Sequence, residues 1–219
     1  RAHVITMGLV PPPASELPHD SARARLLAEN SLPTDAILLL TTGRLVRRKG
    51  VRWFTSEVMP LLNSRFHYLV VGTGADEAVI IADAVAAGVS DRVHLLGYVS
   101  DETRQLVLDG ADFFVQPNIP VADDMEGFGL VVVESAQSGL LTVAADLEGL
   151  KDAVRPGVTG FRVRSEDAAA WASTLTDLAE RPDRRSLADG FRAAALEIYS
   201  LGAMGTELAA HAAKAIDDD

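Results

Sequence analysis

The chain contains no cysteine. That excludes a disulfide scaffold, a thiolate zinc site, an iron–sulfur cluster and a cysteine nucleophile. Lysine is nearly absent too: Lys49, Lys151 and Lys214 stand against 17 arginines. With abundant Ala, this is the composition of a GC-rich bacterial coding sequence. Basic residues total 20 and acidic residues 31, so the formal charge is −11, which argues against a general nucleic-acid surface. No apolar run approaches the roughly 20 residues needed to span a bilayer. The opening RAHVITMGLVPPP lacks the basic-then-apolar layout of a secretion signal. There is no repeat with a period of about 20–50 residues. No paired histidines are found, and no metal or other cofactor is expected.

What is present is ordinary globular composition, 48% apolar and 23% charged over 219 residues. That is enough to bury a substantial core. Short apolar runs without alternation predict strands at 36–42, 66–71, 92–96, 112–116, 140–144 and 160–163. Helical spacing predicts helices at 51–63, 75–87, 100–108, 130–138, 165–180, 183–198 and 201–216, with Ser165 and Asp167 as the N-terminal signal of the fifth. In 51–63 the stripe is Val51, Phe54, Val58, Leu61 and Leu62. Strands separated by helices of about ten residues imply βαβ crossovers and a doubly wound, Rossmann-like parallel α/β sheet of about six strands, with extra C-terminal helices. Runs without alternation fit strands covered on both faces. Residues 1–35 read as a linker and lead-in, stiffened by Pro11-Pro12-Pro13; 36–199 as the Rossmann-like domain; 200–219 as a C-terminal helix with a solvated acidic tail.

In such sheets ligands sit beyond the carboxyl ends of the strands. After the first strand comes Gly43-Arg44-Leu45-Val46-Arg47-Arg48-Lys49-Gly50. One reading is a phosphate cradle, with Gly43 allowing close backbone approach and the cations opposing ligand charge. The plain alternative is a solvated basic turn. In a chain of net −11, a basic cluster at the ligand edge favours the cradle. The G-x-x-x-x-G-K-[ST] spacing of a Walker A loop is absent. After the second strand, Gly72-Thr73-Gly74 fits either a tight turn or ligand proximity. The third glycine of a dinucleotide fingerprint is replaced by Glu77.

After the fourth strand, Gln116-Pro117-Asn118 leads to Asp123, Asp124, Glu126 and then Gly127-Phe128-Gly129-Leu130-Val131-Val132-Val133-Glu134. Gly127–Gly129 is expected to form the first turn of a helix whose free N–H groups make an anion site. Glu126 beside a helix N-terminus accounts for about 0.3–1 kcal/mol by itself. Glu134 alone reads as a surface residue of an amphipathic helix. Neither explains the pair. An unpaired buried carboxylate at Glu134 would cost several kcal/mol, so it is expected to reach a polar ligand.

At these residues the sequence resembles the family 4 retaining glycosyltransferases, also called glycosyl transferases group 1, which have the GT-B architecture of two facing Rossmann-like domains. The donor-domain motif E-G-F-G-x-x-x-x-E is matched by Glu126-Gly127-Phe128-Gly129 and Glu134. G-R-L-x-x-x-K-G is matched by Gly43-Arg44-Leu45 and Lys49-Gly50. Val71–Gly74, Leu96-Gly97-Tyr98 and Gly157, Thr159, Gly160, Phe161 follow in the family's order. The resemblance runs from about Val4 to the C-terminus.

It implies that Arg44 and Lys49 bind the diphosphate of a nucleotide-sugar donor and stabilise it as leaving group. The backbone at Phe128, Gly129 and Leu130 would hold phosphate and sugar, Glu126 the sugar hydroxyls near the reacting carbon, and Glu134 the ribose. The backbone around Tyr98 and Val99 would receive the base. Catalytic roles then fall to Arg44, Lys49 and Glu126, and donor-binding roles to Gly43, Gly72, Gly74, Tyr98, Val99, Phe128, Gly129, Leu130 and Glu134, with no metal. The implied partners are a nucleotide diphosphate sugar and an N-terminal acceptor domain that is absent. The implied setting is cytoplasmic, with membrane contact only through that other domain. Such a half binds donor but transfers poorly. Three departures stand out. Glu148 occupies a glycine position of the family's Gly-Gly-x-x-Glu segment, where it would repel a diphosphate or lie outside the site. Leu141 replaces a proline. The chain has about half the expected length. Other readings are a non-catalytic module of this fold, a nucleotide-sugar epimerase and, against the missing third glycine, an NAD(P)-dependent oxidoreductase.

Overall fold

A computed structural model describes residues 7–12 and 17–217; His3, Val4, Pro13, Asp218 and Asp219 lie outside them. Six strands are present: β1 (Ile37–Thr42), β2 (Phe66–Val71), β3 (Val93–Gly97), β4 (Phe113–Gln116), β5 (Leu141–Ala145) and β6 (Phe161–Val163). Every strand pairing is parallel, and the order is β3-β2-β1-β4-β5-β6. This is the doubly wound order of dinucleotide-binding folds. Its direction reverses between β1 and β4, which makes a crevice at their carboxyl ends. β1, β2, β4 and β5 are buried along their whole length, because helices cover both faces of their continuous apolar runs.

The helices are α1 (His19–Glu29), α2 (Val51–Trp53), α3 (Glu77–Ala86), α4 (Asp101–Gly110), α5 (Leu130–Gln137), α6 (Leu150–Ala153), α7 (Ala168–Glu180), α8 (Arg184–Ile198) and α9 (Leu201–Asp217). The segment 51–61, α3 and α7 pack together, while α1 packs on α4 and α8 on α5. The first group buries Phe54 between Tyr68 of β2 and Trp171 of α7, with ring centroids 4.9 and 5.6 Å away.

Four expectations are corrected. The lead-in before β1 contains α1, which buries Ala22, Leu26 and Leu27; its charged sequence hides a narrow apolar stripe. The expected helix at 51–63 is broken into α2, a π-helical turn at Phe54–Val58 and a 3-10 turn at Met59–Leu61. Pro60 lacks the N–H a continuous helix needs, and Leu61 turns outward while Val51, Phe54, Val58 and Leu62 stay buried. The cap of α7 is Asp167, which accepts from Ala170 N at 3.1 Å. Ser165 instead donates to the Asn118 carbonyl at 2.7 Å. Finally, α5 starts at Leu130, not Gly127: Gly129 caps it with φ 76°, a left-handed conformation that suits glycine.

Candidate functional site

The loops after β1 and β4 meet at the crevice. Ile119 N donates to Arg48 O at 3.0 Å and joins them. Behind them, a Cβ at Gly72 would lie 1.9 Å from Gly43 O and one at Gly74 2.2 Å from Leu45 O. The β2 loop therefore packs onto the β1 loop at a distance only glycine permits.

The basic run divides by burial. Arg48 and Lys49 are buried, whereas Arg44 and Arg47 are exposed. Glu126 gathers the buried pair: its Oε2 accepts from Lys49 Nζ at 2.6 Å, Arg48 Nη1 at 2.6 Å and Asn118 Nδ2 at 3.0 Å. Asp124 also takes Arg48, at 2.9 Å, and Gln116 Nε2 steadies Asn118 Oδ1 at 2.5 Å. Burial pushes the Glu126 carboxyl up, but hydrogen bonds from Lys49 and Asn118 and the charges of Lys49 and Arg48 outweigh it. The group is held below its ordinary value.

Two cavities flank this cluster. The larger, about 870 Å³, is lined by Gly43, Arg44, Arg48, Lys49, Glu126 and the stretch Gly127–Val131, and also by Lys151, Asp152 and Arg155. The smaller, about 320 Å³, is lined by Gly72, Thr73, Tyr98, Val99 and Arg104 among others. Gly43, Arg44 and Val131 line both, so the two form one cleft bent around Arg44. The N-terminal end of α5 opens on it at Gly129–Val131, where free N–H groups favour an anion.

The structure thus brings Gly43, Arg44, Lys49, Glu126, Phe128, Gly129 and Leu130 to the larger cavity, and Gly72, Tyr98 and Val99 to the smaller. Gly74 lines neither and packs on Leu45. Glu134 lines neither as well. It forms an ion pair with Arg104, Nη2 to Oε2 2.6 Å, so α4 supplies the charge that its apolar helix lacks. Glu148 is placed by a contact its sequence position did not foretell: its Oε2 accepts from Glu126 N at 2.6 Å. Sequence reasoning assigned no role to Arg104, Asn118, Lys151 or Arg155. Only Asn118 carried a signal, as a polar residue directly after a strand and its proline stop. Among the described residues, no group of three or more His, Asp or Glu side chains is gathered as metal ligands would be.

The model of the family described as glycosyl transferases group 1 matches residues 36–181. The chain belongs to this family. As a glycosyltransferase domain it is similar to the D-inositol 3-phosphate glycosyltransferase of Streptomyces coelicolor, 33% identical over 187 residues that cover 80% of this chain and 39% of that protein. It is also similar to sucrose-phosphate synthase from Thermosynechococcus elongatus, with a TM-score of 0.74 and 26% identity over 92% of this chain and 50% of that one. Anabaena Alr3699/HepE in complex with UDP has the same fold, with a TM-score of 0.75 and 18% identity over 89% of this chain and 53% of that one. The glycosyltransferase domain spans about two fifths of the length of the first curated relatives it matches. No described helix is long and apolar enough to cross a membrane.

Proposed function

We propose that this chain is the donor-binding domain of a retaining glycosyltransferase that needs no metal and acts on a nucleotide diphosphate sugar. The observation that carries the reading is the convergence of Arg44, Arg48, Lys49 and the N-terminal end of α5 on one wall of the larger cavity. Breaking a sugar–phosphate bond leaves negative charge on the diphosphate. Fixed cations and helix-end N–H groups aimed at that charge stabilise it as it forms. These groups then supply the charge that a divalent ion provides elsewhere.

In this reading Arg44 and Lys49 hold the diphosphate, and the N–H groups at Gly129–Val131 hold phosphate and sugar. Among the described residues the hydrogen bonds to the Glu126 carboxylate fall on Oε2, which leaves Oε1 for sugar hydroxyls. The smaller cavity takes the nucleoside, with Tyr98 and Val99 near the base and the Arg104–Glu134 pair toward the ribose. The acceptor belongs to a second domain. In support, the chain covers only 50–53% of the solved structures described above, and HepE is in complex with UDP. Calorimetric titration with UDP, GDP and ADP tests the assignment. Binding of one of them is expected, with slow cleavage of the matching nucleotide diphosphate sugar by the isolated chain. No binding of any at millimolar concentration overturns it.

A further inference from the structure

We propose that the larger cavity recognises a second anionic group, a carboxylate or phosphate, through Lys151 and Arg155. The proposal rests on the donor reading above and names a substrate feature of the same site. The cavity has two cationic walls: Arg44, Arg48 and Lys49 after β1, and Lys151 and Arg155 at and after α6. Only Glu126 and Asp152 oppose these five among the lining residues, so the lining sums to 5 − 2 = +3 in a chain of −11.

The first wall is largely answered from within, because Arg48 and Lys49 are paired with Glu126 and Asp124. Lys151 and Arg155 form no ion pair among the described residues, and both are exposed. A bound diphosphate answers Arg44 and the first wall. It leaves Lys151 and Arg155 unanswered.

The second wall is built rather than loose at Arg155. Its backbone N–H donates to Thr159 Oγ1 at 2.9 Å, and Tyr199 packs beneath the same turn. Tyr199 is fully buried. Its own O–H is directed to the carbonyls of Asp152 and Ala153, at 3.2 and 3.0 Å, and its ring meets Phe128 edge-on at 6.1 Å. A buried tyrosine that touches the Glu126–Gly129 loop thus holds the end of α6 in place, with the Arg155 fork on the cavity lining two residues on. Such a fork matches a carboxylate or phosphate geometrically. It favours partners by charge and rejects neutral ones.

The anion can belong to the transferred sugar or to the acceptor, and two titrations of the intact chain separate these. One compares UDP-glucuronate with UDP-glucose. The other compares glycerol 3-phosphate with glycerol, both with and without a saturating nucleotide diphosphate. Each is repeated with the Lys151→Gln/Arg155→Gln double variant. Unchanged thermal unfolding and an unchanged nucleotide affinity, within twofold, show that the variant keeps the fold and the first wall. The expected result is at least a fivefold preference for the anionic member in one arm, lost in the double variant. No preference in either arm, or one the double variant retains, overturns the proposal. A Lys151- and Arg155-dependent response to glycerol 3-phosphate without binding of any nucleotide would refute the donor reading and leave the anion site standing.

Discussion

Glu148 holds Glu126 by its backbone: the Glu148 carboxylate accepts the Glu126 N–H at 2.6 Å, and Gly149 N donates back to Glu126 O at 3.2 Å. Glu148 sits at φ +46°, which an L side chain adopts at a cost of about 1 kcal/mol. Next to it, a Cβ on Gly149 would lie 1.8 Å from Gly127 O. The residue that stands at a glycine position of the family motif is therefore a clasp on the loop bearing the cavity's central carboxylate.

Glu148→Gly separates strain from clasp. Relief of the left-handed backbone offsets the lost hydrogen bond, so stability is expected to change by less than about 1 kcal/mol. Affinity for a nucleotide diphosphate sugar, relative to the bare nucleotide diphosphate, falls severalfold because Glu126 loses its placement. Glu148→Gln keeps an acceptor oxygen and stays near wild type. Calorimetry on the three proteins checks this, and an unaltered sugar preference in Glu148→Gly shows that the clasp does nothing for ligand.

Asp112, at the amino end of β4, is the structural counterpart of the site. Its side chain is 2% exposed and takes Arg23 at 2.5 Å and Arg184 at 2.9 Å, with Leu38 N at 2.8 Å. It ties α1 and α8 to the sheet. Asp112→Ala leaves two arginines and a backbone N–H without this partner and is expected to cost about 3–5 kcal/mol. Urea unfolding measures the loss. Nucleotide affinity of the folded fraction is expected to stay within twofold, because the opposite end of the strand feeds the cavity.

Acid is expected to weaken the fold through two stacked histidines. His67 Nδ1 lies 3.1 Å from His94 Nε2, with the rings 5.4 Å apart. Burial, and then Arg92, pushes His67 below the ordinary 6.5. Burial, and then His67, does the same to His94. Asp91 pulls both upward and Asp35 pulls His67, without prevailing. The unfolded chain therefore binds more protons than the folded one below about pH 6.5. The stability is fully present above that value and is lost as pH falls through the lowered folded values. The urea midpoint is expected to drop between pH 7.5 and 5.5, and to drop less in His94→Gln. An equal drop in both proteins would assign the effect elsewhere.

Much of the fold was legible in the sequence because its strands are covered on both faces. Runs such as ILLLTT and FHYLVV read plainly as buried strands, and the six observed strands begin within a residue of their expected starts. The helix α1 was not legible, since HDSARARLLAE shows charge more strongly than its buried stripe. The continuous helix at 51–63 failed at Pro60. In the site, the Gly43–Gly50 and Glu126–Leu130 segments supply the cations, glycines and carboxylate that line the larger cavity, while Glu134 pairs with Arg104. Their partners were hidden for one reason. Arg104, Glu148 and Arg155 come from elements that meet the cavity only after folding, and spacing within a motif says nothing of which distant face arrives.

The central claim is that the wall of Arg44 and Lys49 holds a diphosphate. The most direct test compares the affinity of the chain for a nucleoside diphosphate and the matching monophosphate, in wild type, Arg44→Gln and Lys49→Gln. Each charge-assisted hydrogen bond contributes about 1.5–3 kcal/mol, or roughly 10- to 150-fold. The account predicts a diphosphate preference of at least tenfold in wild type that collapses in both variants while the monophosphate affinity holds. Equal affinity for the two nucleotides in wild type, or a preference that survives both substitutions, would contradict it.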